Sequence, residues 1–402
     1  MIYRLGIDLG ATNTAAAVSL DGAPAQALRL AAERVELPSV LYVTSDGALL
    51  LGSEASTQAA SDPFRAVSDP VRRLADDLPA FDDGIQHVAA ADAVAAILTY
   101  VVEAATREHG GPPAATMVSQ PAGWDDYQRS CLVRATAQAD LPNCRLVPDV
   151  AAAARGVVAR ADPGPDAQFL VVDLGGGSCT AALAQRTSTG VEVIDHICAP
   201  HPSGDDFDEA VFRLVGGSLG DHGRELTSDD PAARARAVEV RRACRQAKEI
   251  LSSSPEASVT VGMPGFSKTV TLARDEFESL IRPNLRDGLA MATQLLNRNP
   301  VPVDQLVGVA LVGGASRMPI VAELVRREFD LPVVISDEPE LEIALGLVSP
   351  EGGSSPPAAV LDPPAAVLVP PAAVLVPPAA VLVPVGDVSP DRAASSGPTA
   401  PA

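Results

Sequence analysis

Two short stretches carry the residue types from which a phosphate site is built. Phe169 to Thr180 reads F-L-V-V-D-L-G-G-G-S-C-T: four apolar residues, Asp173 at the strand's carboxyl end, then Gly175, Gly176, Gly177 and Ser178 opening a turn. Backbone without side chains can come close to a ligand there, and consecutive amides can cradle an anion. Alone, such a turn is as readily an ordinary tight turn. Tyr3 to Thr14, Y-R-L-G-I-D-L-G-A-T-N-T, repeats the arrangement with Asp8 followed by Gly10, Ala11, Thr12 and Asn13. Two strand–Asp–Gly loops whose acids, Asp8 and Asp173, lie 165 residues apart predict two similar lobes facing each other across a polyphosphate.

The chain that positions these loops has 402 residues, too many for one hydrophobic core, so two lobes with subdomains are expected. Lobe I spans 1–162, and Asp162 to Asp166, with two prolines and a glycine, breaks it from lobe II at 163–330. In lobe I, Ile2 to Leu9 and Asn13 to Leu20 read as a hairpin, and Leu37 to Val43 and Ala48 to Gly52 as strands. Ser61 to Pro79 is polar and proline-punctuated; Ala89 to Glu108 has Val94, Ile97, Leu98 and Val101 at helical spacing. A strand at Ala115 to Ser119, a helix at Asp125 to Ala139 capped by Asp125, a strand at Leu146 to Pro148 and a helix at Asp149 to Arg160 complete it. Lobe II starts with the Asp173 strand, a return strand Ala181 to Gln185, and Val191 to Ala199. Helices at Asp205 to Leu214, Pro231 to Leu251 and Arg274 to Leu296 flank a hairpin of Ser258 to Val261 with Lys268 to Leu272. Val307 to Val312 is a buried strand running into a third glycine-rich turn, Gly313-Gly314, before a helix at Pro319 to Phe329. A last strand, Val333 to Ile335, and helix, Pro339 to Leu347, close the domain within 331–350.

A net charge of −21 argues against nucleic acid or an anionic membrane as partner. No Lys/Arg-led apolar segment opens the chain, so no signal peptide is expected. The five cysteines are scattered without C-x-x-C spacing and read as buried thiols of a reducing cytoplasm, not metal ligands. From Pro356 to Val383 four proline-paired heptads follow, P-P-A-A-V-L-D and then P-P-A-A-V-L-V three times. Paired prolines remove backbone donors and clash with helix geometry, so 351–402 is expected to be a disordered, extended tail and not a membrane span.

Six stretches, in order, resemble the nucleotide-binding domain of the 70-kDa heat-shock (DnaK-type) chaperone family, within the actin-like ATPase superfamily. They are G-I-D-L-G-A-T-N-T, Gln120 to Arg129 (Q-P-A-G-W-D-D-Y-Q-R), V-D-L-G-G-G-S, Ser203 to Asp208 (S-G-D-D-F-D), Arg241 to Ser254 and Leu311 to Pro319 (L-V-G-G-A-S-R-M-P). The resemblance covers residues 2–348 and implies an actin-like two-lobed α/β ATPase fold, each lobe a mixed five-stranded sheet flanked by helices. ATP or ADP with Mg2+ would lie in the cleft, with loops Gly10–Asn13 and Gly175–Ser178 on the phosphates. Asp8 and Asp173 would hold Mg2+ through its waters, and Asp149 and Asp173 are the base-side candidates. Gly313, Gly314, Ala315 and Arg317 would close over the adenosine, the Arg plane on the base. Arg245, Lys248, Glu249 and Ser252, on one helix, would lie along ribose and purine, with Glu340 also at the nucleotide. Apart from the resemblance, Lys248 is better read as a solvated helix lysine.

Departures from the family pattern gather where hydrolysis happens. Lys248 and Lys268 are the only lysines, so the family's phosphate-touching lysine of the first lobe is absent, with Val71 or Arg72 near its place. Arg does not simply replace a Lys point charge. Ala11 removes a hydroxyl, Asp149 stands where a Glu is usual, Thr180 replaces an Asp, Arg245 and Glu249 invert the usual charges, and Ala315 replaces a Ser. Nucleotide binding with slow or absent hydrolysis is the expectation, as a nucleotide-dependent switch acting on a protein partner or client through the lobes or the tail. A non-hydrolysing scaffold and a small-molecule kinase of the superfamily are the alternatives. The tail cannot supply the peptide-binding domain of the chaperones.

Overall fold

The computed structural model describes residues 2–31, 34–228, 230–299 and 301–349. The repeat tail expected at 351–402 lies outside the described residues. The first lobe begins with β1 (Tyr3–Leu9), β2 (Asn13–Leu20), β3 (Gln26–Ala27), β4 (Leu37–Pro38), β5 (Val40–Val43), β6 (Leu49–Leu51), α1 (Gly52–Ser61), β7 (Ala66–Ser68) and α2 (Pro70–Ala75). It continues with β8 (Phe81–Asp82), β9 (His87–Val88), α3 (Ala90–His109), β10 (Ala115–Gln120), α4 (Asp126–Gln138), β11 (Arg145–Pro148) and α5 (Asp149–Ala161). Its main sheet runs β11-β10-β1-β2-β3, parallel on the β10 side of β1 and antiparallel on the β2 side, with β4 pairing β2.

The second lobe comprises β12 (Gln168–Leu174), β13 (Cys179–Thr187), β14 (Gly190–Ala199), α6 (Gly204–Ser218), α7 (Asp221–Glu225), α8 (Pro231–Leu251), β15 (Glu256–Met263) and β16 (Phe266–Ala273). Then come α9 (Arg274–Arg298), β17 (Leu306–Val312), α10 (Pro319–Phe329), β18 (Val333–Ile335) and α11 (Glu342–Val348). Its sheet, β14-β13-β12-β17-β18, repeats the scheme: β12 is antiparallel to β13 and parallel to β17. β1 and β12 are therefore equivalent central strands, and the mixed α/β two-lobed arrangement is the actin-like ATPase fold.

The local chemistry explains the helix ends. Asp125 and Ser203 each accept the N3 amide, while Gln128 and Asp206 reach back to the cap amide, so α4 and α6 start on capping boxes. Three corrections to the sequence reading stand out. Leu37 to Val43 is not one strand: Ser39 turns aside to bind the first glycine loop, leaving β4 on the main sheet and β5 on a separate three-stranded sheet. Gly52 to Ser61, read partly as strand end and otherwise unassigned, is helix α1, whose small and polar residues bury only Gly52 and Ala55 and leave little hydrophobic signal. The polar segment Ser61 to Pro79 holds helix α2, started by Pro70 behind the Asp69 cap.

Two core clusters fill the lobes separately, and a third is shared. It joins Ala15 and Ala17 of β2 to Val171 of β12, Ala182 of β13 and Val312 of β17, through α5 and Ile343, Ala344, Leu347 and Val348 of α11. Small residues dominate this cluster because two sheets and two helices converge there. Among the described residues no helix is long and apolar enough to cross a membrane.

Candidate functional site

The equivalent hairpins put both glycine loops at one level, at the carboxyl ends of β1 and β12. A cleft of about 890 Å³ lies between the lobes there. Every residue singled out from the sequence lines it: Asp8, Asp149 and Asp173; Gly10 to Asn13; Gly175 to Ser178; Arg245, Lys248, Glu249 and Ser252; Gly313, Gly314, Ala315, Arg317 and Glu340.

The loops are oriented by what their carbonyls bind. Ser39 Oγ donates to Gly10 O at 2.7 Å, and Ser39 N donates to Thr12 O at 2.9 Å. In the second lobe the first-turn amides of α6 do the same work: Gly204 N donates to Gly175 O at 2.9 Å and Asp205 N to Gly176 O at 2.8 Å. In a planar trans peptide the N–H points opposite to the C=O. Tying those carbonyls away turns the amides of Ala11, Asn13, Gly176 and Gly177 the other way. The two loops also touch: a Cβ on Gly176 would fall on Thr12, and one on Gly177 would lie 3.2 Å from Ala11 Cβ.

Three acids stand behind the loops. Burial pushes Asp8 up to about 7, with the Asp149 charge adding and a Ser119 hydrogen bond opposing. Burial also lifts Asp149 to about 6, against the donors Ala122 N at 3.0 Å and Val150 N at 2.7 Å. Asp173 is raised to about 8 by burial and then by the charges of Asp149 and Asp8. Among the described residues neither Asp8 nor Asp173 has a salt-bridge partner, so the centre is deficient in positive charge and suits a divalent cation. No three His, Cys, Asp or Glu side chains among the described residues converge closely enough to ligate a metal directly. That donor set fits Mg2+, which keeps most of its waters and is held through them.

The residues expected on the adenosine side are braced by ion pairs. Asp208 takes Lys248 Nζ at 2.7 Å on one oxygen and Arg245 Nε at 2.7 Å on the other. Arg245 also reaches Asp205 at 3.0 Å, and Lys248 Nζ donates to Gly204 O at 3.0 Å. Lys248 is thus 13 % exposed and tied to the turn that holds the second loop, which removes the solvated-lysine reading. Glu249 pairs across the cleft with Arg34 at 3.7 Å, an exposed contact of little energy. Arg317 is gripped by Glu340 with both forks of its guanidinium, Nε to Oε2 at 2.8 Å, which fixes its plane at the cleft wall. Gly313 N donates to Pro339 O at 2.9 Å and anchors the third turn beside it.

At the opposite end the departures from the family are physical. Val71 is 5 % exposed and packed in the first lobe's core. The Arg72 side chain is 72 % exposed and faces Asp76 at 3.9 Å. Among the described residues Lys248 is the only lysine at the cleft. Thr180 is buried on β13 directly opposite Asp173.

Four site residues were not singled out from the sequence. Asp208 lay inside the quoted S-G-D-D-F-D stretch and Ser119 ended a recognised strand, so both had a signal. Arg34 and Glu36 sit in an irregular segment and had none. Glu36 lines the cleft, and burial, with the Glu340, Asp8 and Glu249 charges, raises it from the ordinary 4.5 to about 7. Between those values the folded protein binds a proton the unfolded chain releases, so stability falls as pH rises and then levels off above about 7. Glu36→Gln is expected to melt above the wild type at pH 8, with the gap closing as the pH falls toward 4.5; scanning fluorimetry across that range checks it.

Two matched lobes with a glycine loop, an acid and a shared cleft define a domain of the actin-like ATPase class. A profile described as Hsp70 protein matches residues 80–348. A chaperone protein HscA homolog from Burkholderia lata is 32% identical over 364 residues, covering 85% of this chain and 57% of that protein. The Burkholderia multivorans and Burkholderia pseudomallei homologs of the same name are each 31% identical over 364 residues. The chain belongs to the Hsp70 family. It spans 57% of the length of these relatives.

Proposed function

We propose that the cleft binds ATP and ADP with Mg2+ and that the chain works as a nucleotide-dependent switch with slow or absent hydrolysis. The observation that carries the binding half is the orientation of the loops: Ser39 and the start of α6 hold the carbonyls away, leaving amides from opposite lobes for the phosphates. Asp8 and Asp173 would hold Mg2+ through water, and the ion would offset the phosphate charge. Lys248, Ser252, Arg317 and Glu340 would take the adenosine.

The slow half rests on what stands at the phosphate end. Asp149 and Asp173 could orient a water, but Val71 is buried, and Arg72, which lines the cleft beside Asp76, offers a guanidinium in place of a lysine's point charge. Asp149 is a methylene shorter than a glutamate, and a misplacement of about 1 Å can cost about a hundredfold in rate. A protein whose loops bind while its hydrolytic end is thinned could equally serve as a nucleotide-loaded scaffold. The relatives are chaperone proteins by name, which supports a chaperone-related role with a client or cochaperone as partner; the scattered cysteines support a reducing, cytoplasmic location.

Calorimetry with ATP and ADP, followed by single-turnover hydrolysis with and without unfolded peptide, tests both halves. Micromolar or tighter binding with little turnover is expected. Turnover at ordinary chaperone rates would refute the slow half, and no binding would refute the whole. Asp173→Asn removes one charge from the metal's outer shell and should weaken Mg-ATP about 10–100-fold. Unchanged Mg-ATP affinity and turnover would take Asp173 out of the site.

A further inference from the structure

Ser119 stands near the end of β10, beside β1, and is 3 % exposed. Its Oγ accepts the Leu9 amide at 2.9 Å and donates to Asp8 Oδ1 at 2.7 Å. A serine hydroxyl has one proton. With the Leu9 N–H on one acceptor direction of Oγ, the hydroxyl proton can turn to Asp8 Oδ1, and the ionised carboxylate, which has no proton of its own, accepts it. The parallel register that sets Ile7 beside Val118 makes this a property of the sheet and not of a loop. The three acids differ in this respect. Asp149 is held by two backbone amides. Asp8 is held by one side chain, and the amide bonded to that side chain belongs to Leu9, the residue leading into the first glycine loop.

We propose that Ser119 is the positioning residue that sets how strongly nucleotide affinity depends on the metal. It turns the Asp8 carboxylate so that its second oxygen faces the cleft, where it meets a water of Mg2+. It also ties that orientation to the position of the first glycine loop. The proposal rests on the nucleotide reading above and adds to it a residue that acts through Asp8. Outer-shell partners that orient a ligand typically account for 10–100-fold in metal affinity.

The test is calorimetry of ATP binding to the full chain, with Mg2+ and again with excess EDTA, for wild type, Ser119→Ala and Ser119→Thr. Ser119→Ala should weaken Mg-ATP about 10–100-fold while leaving metal-free ATP within twofold, and Ser119→Thr, which keeps the hydroxyl, should restore wild-type Mg-ATP binding. Should the alanine variant not fold, Ser119→Cys, close in size with a weaker donor, is used with the same criteria. Equal weakening of both forms of ATP would mean that Ser119 only supports the fold near Leu9, and unchanged Mg-ATP affinity would mean that Asp8 needs no such support; either overturns the proposal and leaves the nucleotide reading standing. A wild type that binds no Mg-ATP would overturn both.

Discussion

Gly176→Val should abolish measurable ATP binding while leaving a folded protein. A Cβ on Gly176 would land on Thr12 Oγ1 and lie 2.8 Å from Thr12 Cβ, so even alanine displaces one loop and valine forces both apart. On the proposed nucleotide reading, the peptide groups that would offer amides to phosphate are those flanking this contact. A hydrogen bond to a charged group is worth about 1.5–3 kcal/mol, so losing two costs about 3–6 kcal/mol, a hundredfold or more in affinity. Gly177→Ala is the internal comparison. Its nearest neighbour would be Ala11 Cβ at 3.2 Å, the tip of a small side chain on a loop, and a loss of a few-fold is expected. Calorimetry with Mg-ATP measures both, with the melting curve as a check on folding. A folded Gly176→Val that binds ATP within about threefold of wild type would show that the phosphates do not lie between these loops.

That contact also shows what the sequence could and could not convey. Each loop was visible because it is local: an apolar strand, an acid and glycines within a dozen residues. Their meeting followed from the repeat, since two similar hairpins leading similar lobes make a pseudo-symmetric cleft. Strands and helices with a strong period, such as Pro231–Leu251 and Pro319–Phe329, were read to the residue. Helix α1 was not, because its ten residues are mostly Ser, Ala, Gly, Thr, Gln and Glu and bury one small edge. The break at Ser39 was invisible for another reason: Pro38-Ser39 leaves the strand to satisfy the carbonyls of Gly10 and Thr12, 29 and 27 residues earlier, a tertiary demand that no local pattern encodes. The pairing of Asp208 with both Arg245 and Lys248 is of the same kind, since its partners lie 37 and 40 residues away. The inverted charges at Arg245 and Glu249, puzzling in one dimension, are each met by an opposite charge in three.

The seam between α5 and α11 makes the strongest prediction about stability. Ala152 and Gly156 on α5 face Gly346 on α11, and the helices lie so close that a Cβ on Gly346 would overlap Ala152 O and come within 2.8 Å of Gly156 N. A Cβ on Gly156 would in turn meet Glu342 O at 2.5 Å. Backbone occupies both sides of this contact, so no side chain can swing away to make room. Glu342, 2 % exposed, adds a constraint: its carboxylate takes Arg160 Nε at 2.7 Å, and separating the helices leaves a buried charge unpaired. Ordinary overpacking costs about 1–3 kcal/mol, and a clash with backbone that also strains a buried ion pair should exceed it. Gly346→Val is therefore expected to lose about 3–5 kcal/mol, enough to lower the melting temperature of the two-lobed unit by about 5 °C or to prevent folding. Gly217→Ala serves as the opposite case, a helical glycine of α6 whose added Cβ meets nothing within 4 Å, and should be neutral or stabilising by up to about 1 kcal/mol. The seam carries more than local packing, because α11 joins β1 and β2 of one lobe to the core shared with β12, β13 and β17 of the other. Loosening it should therefore melt both lobes in one transition. Two separate transitions in Gly346→Val, or a melting temperature within a degree or two of wild type, would show that the lobes do not depend on this seam.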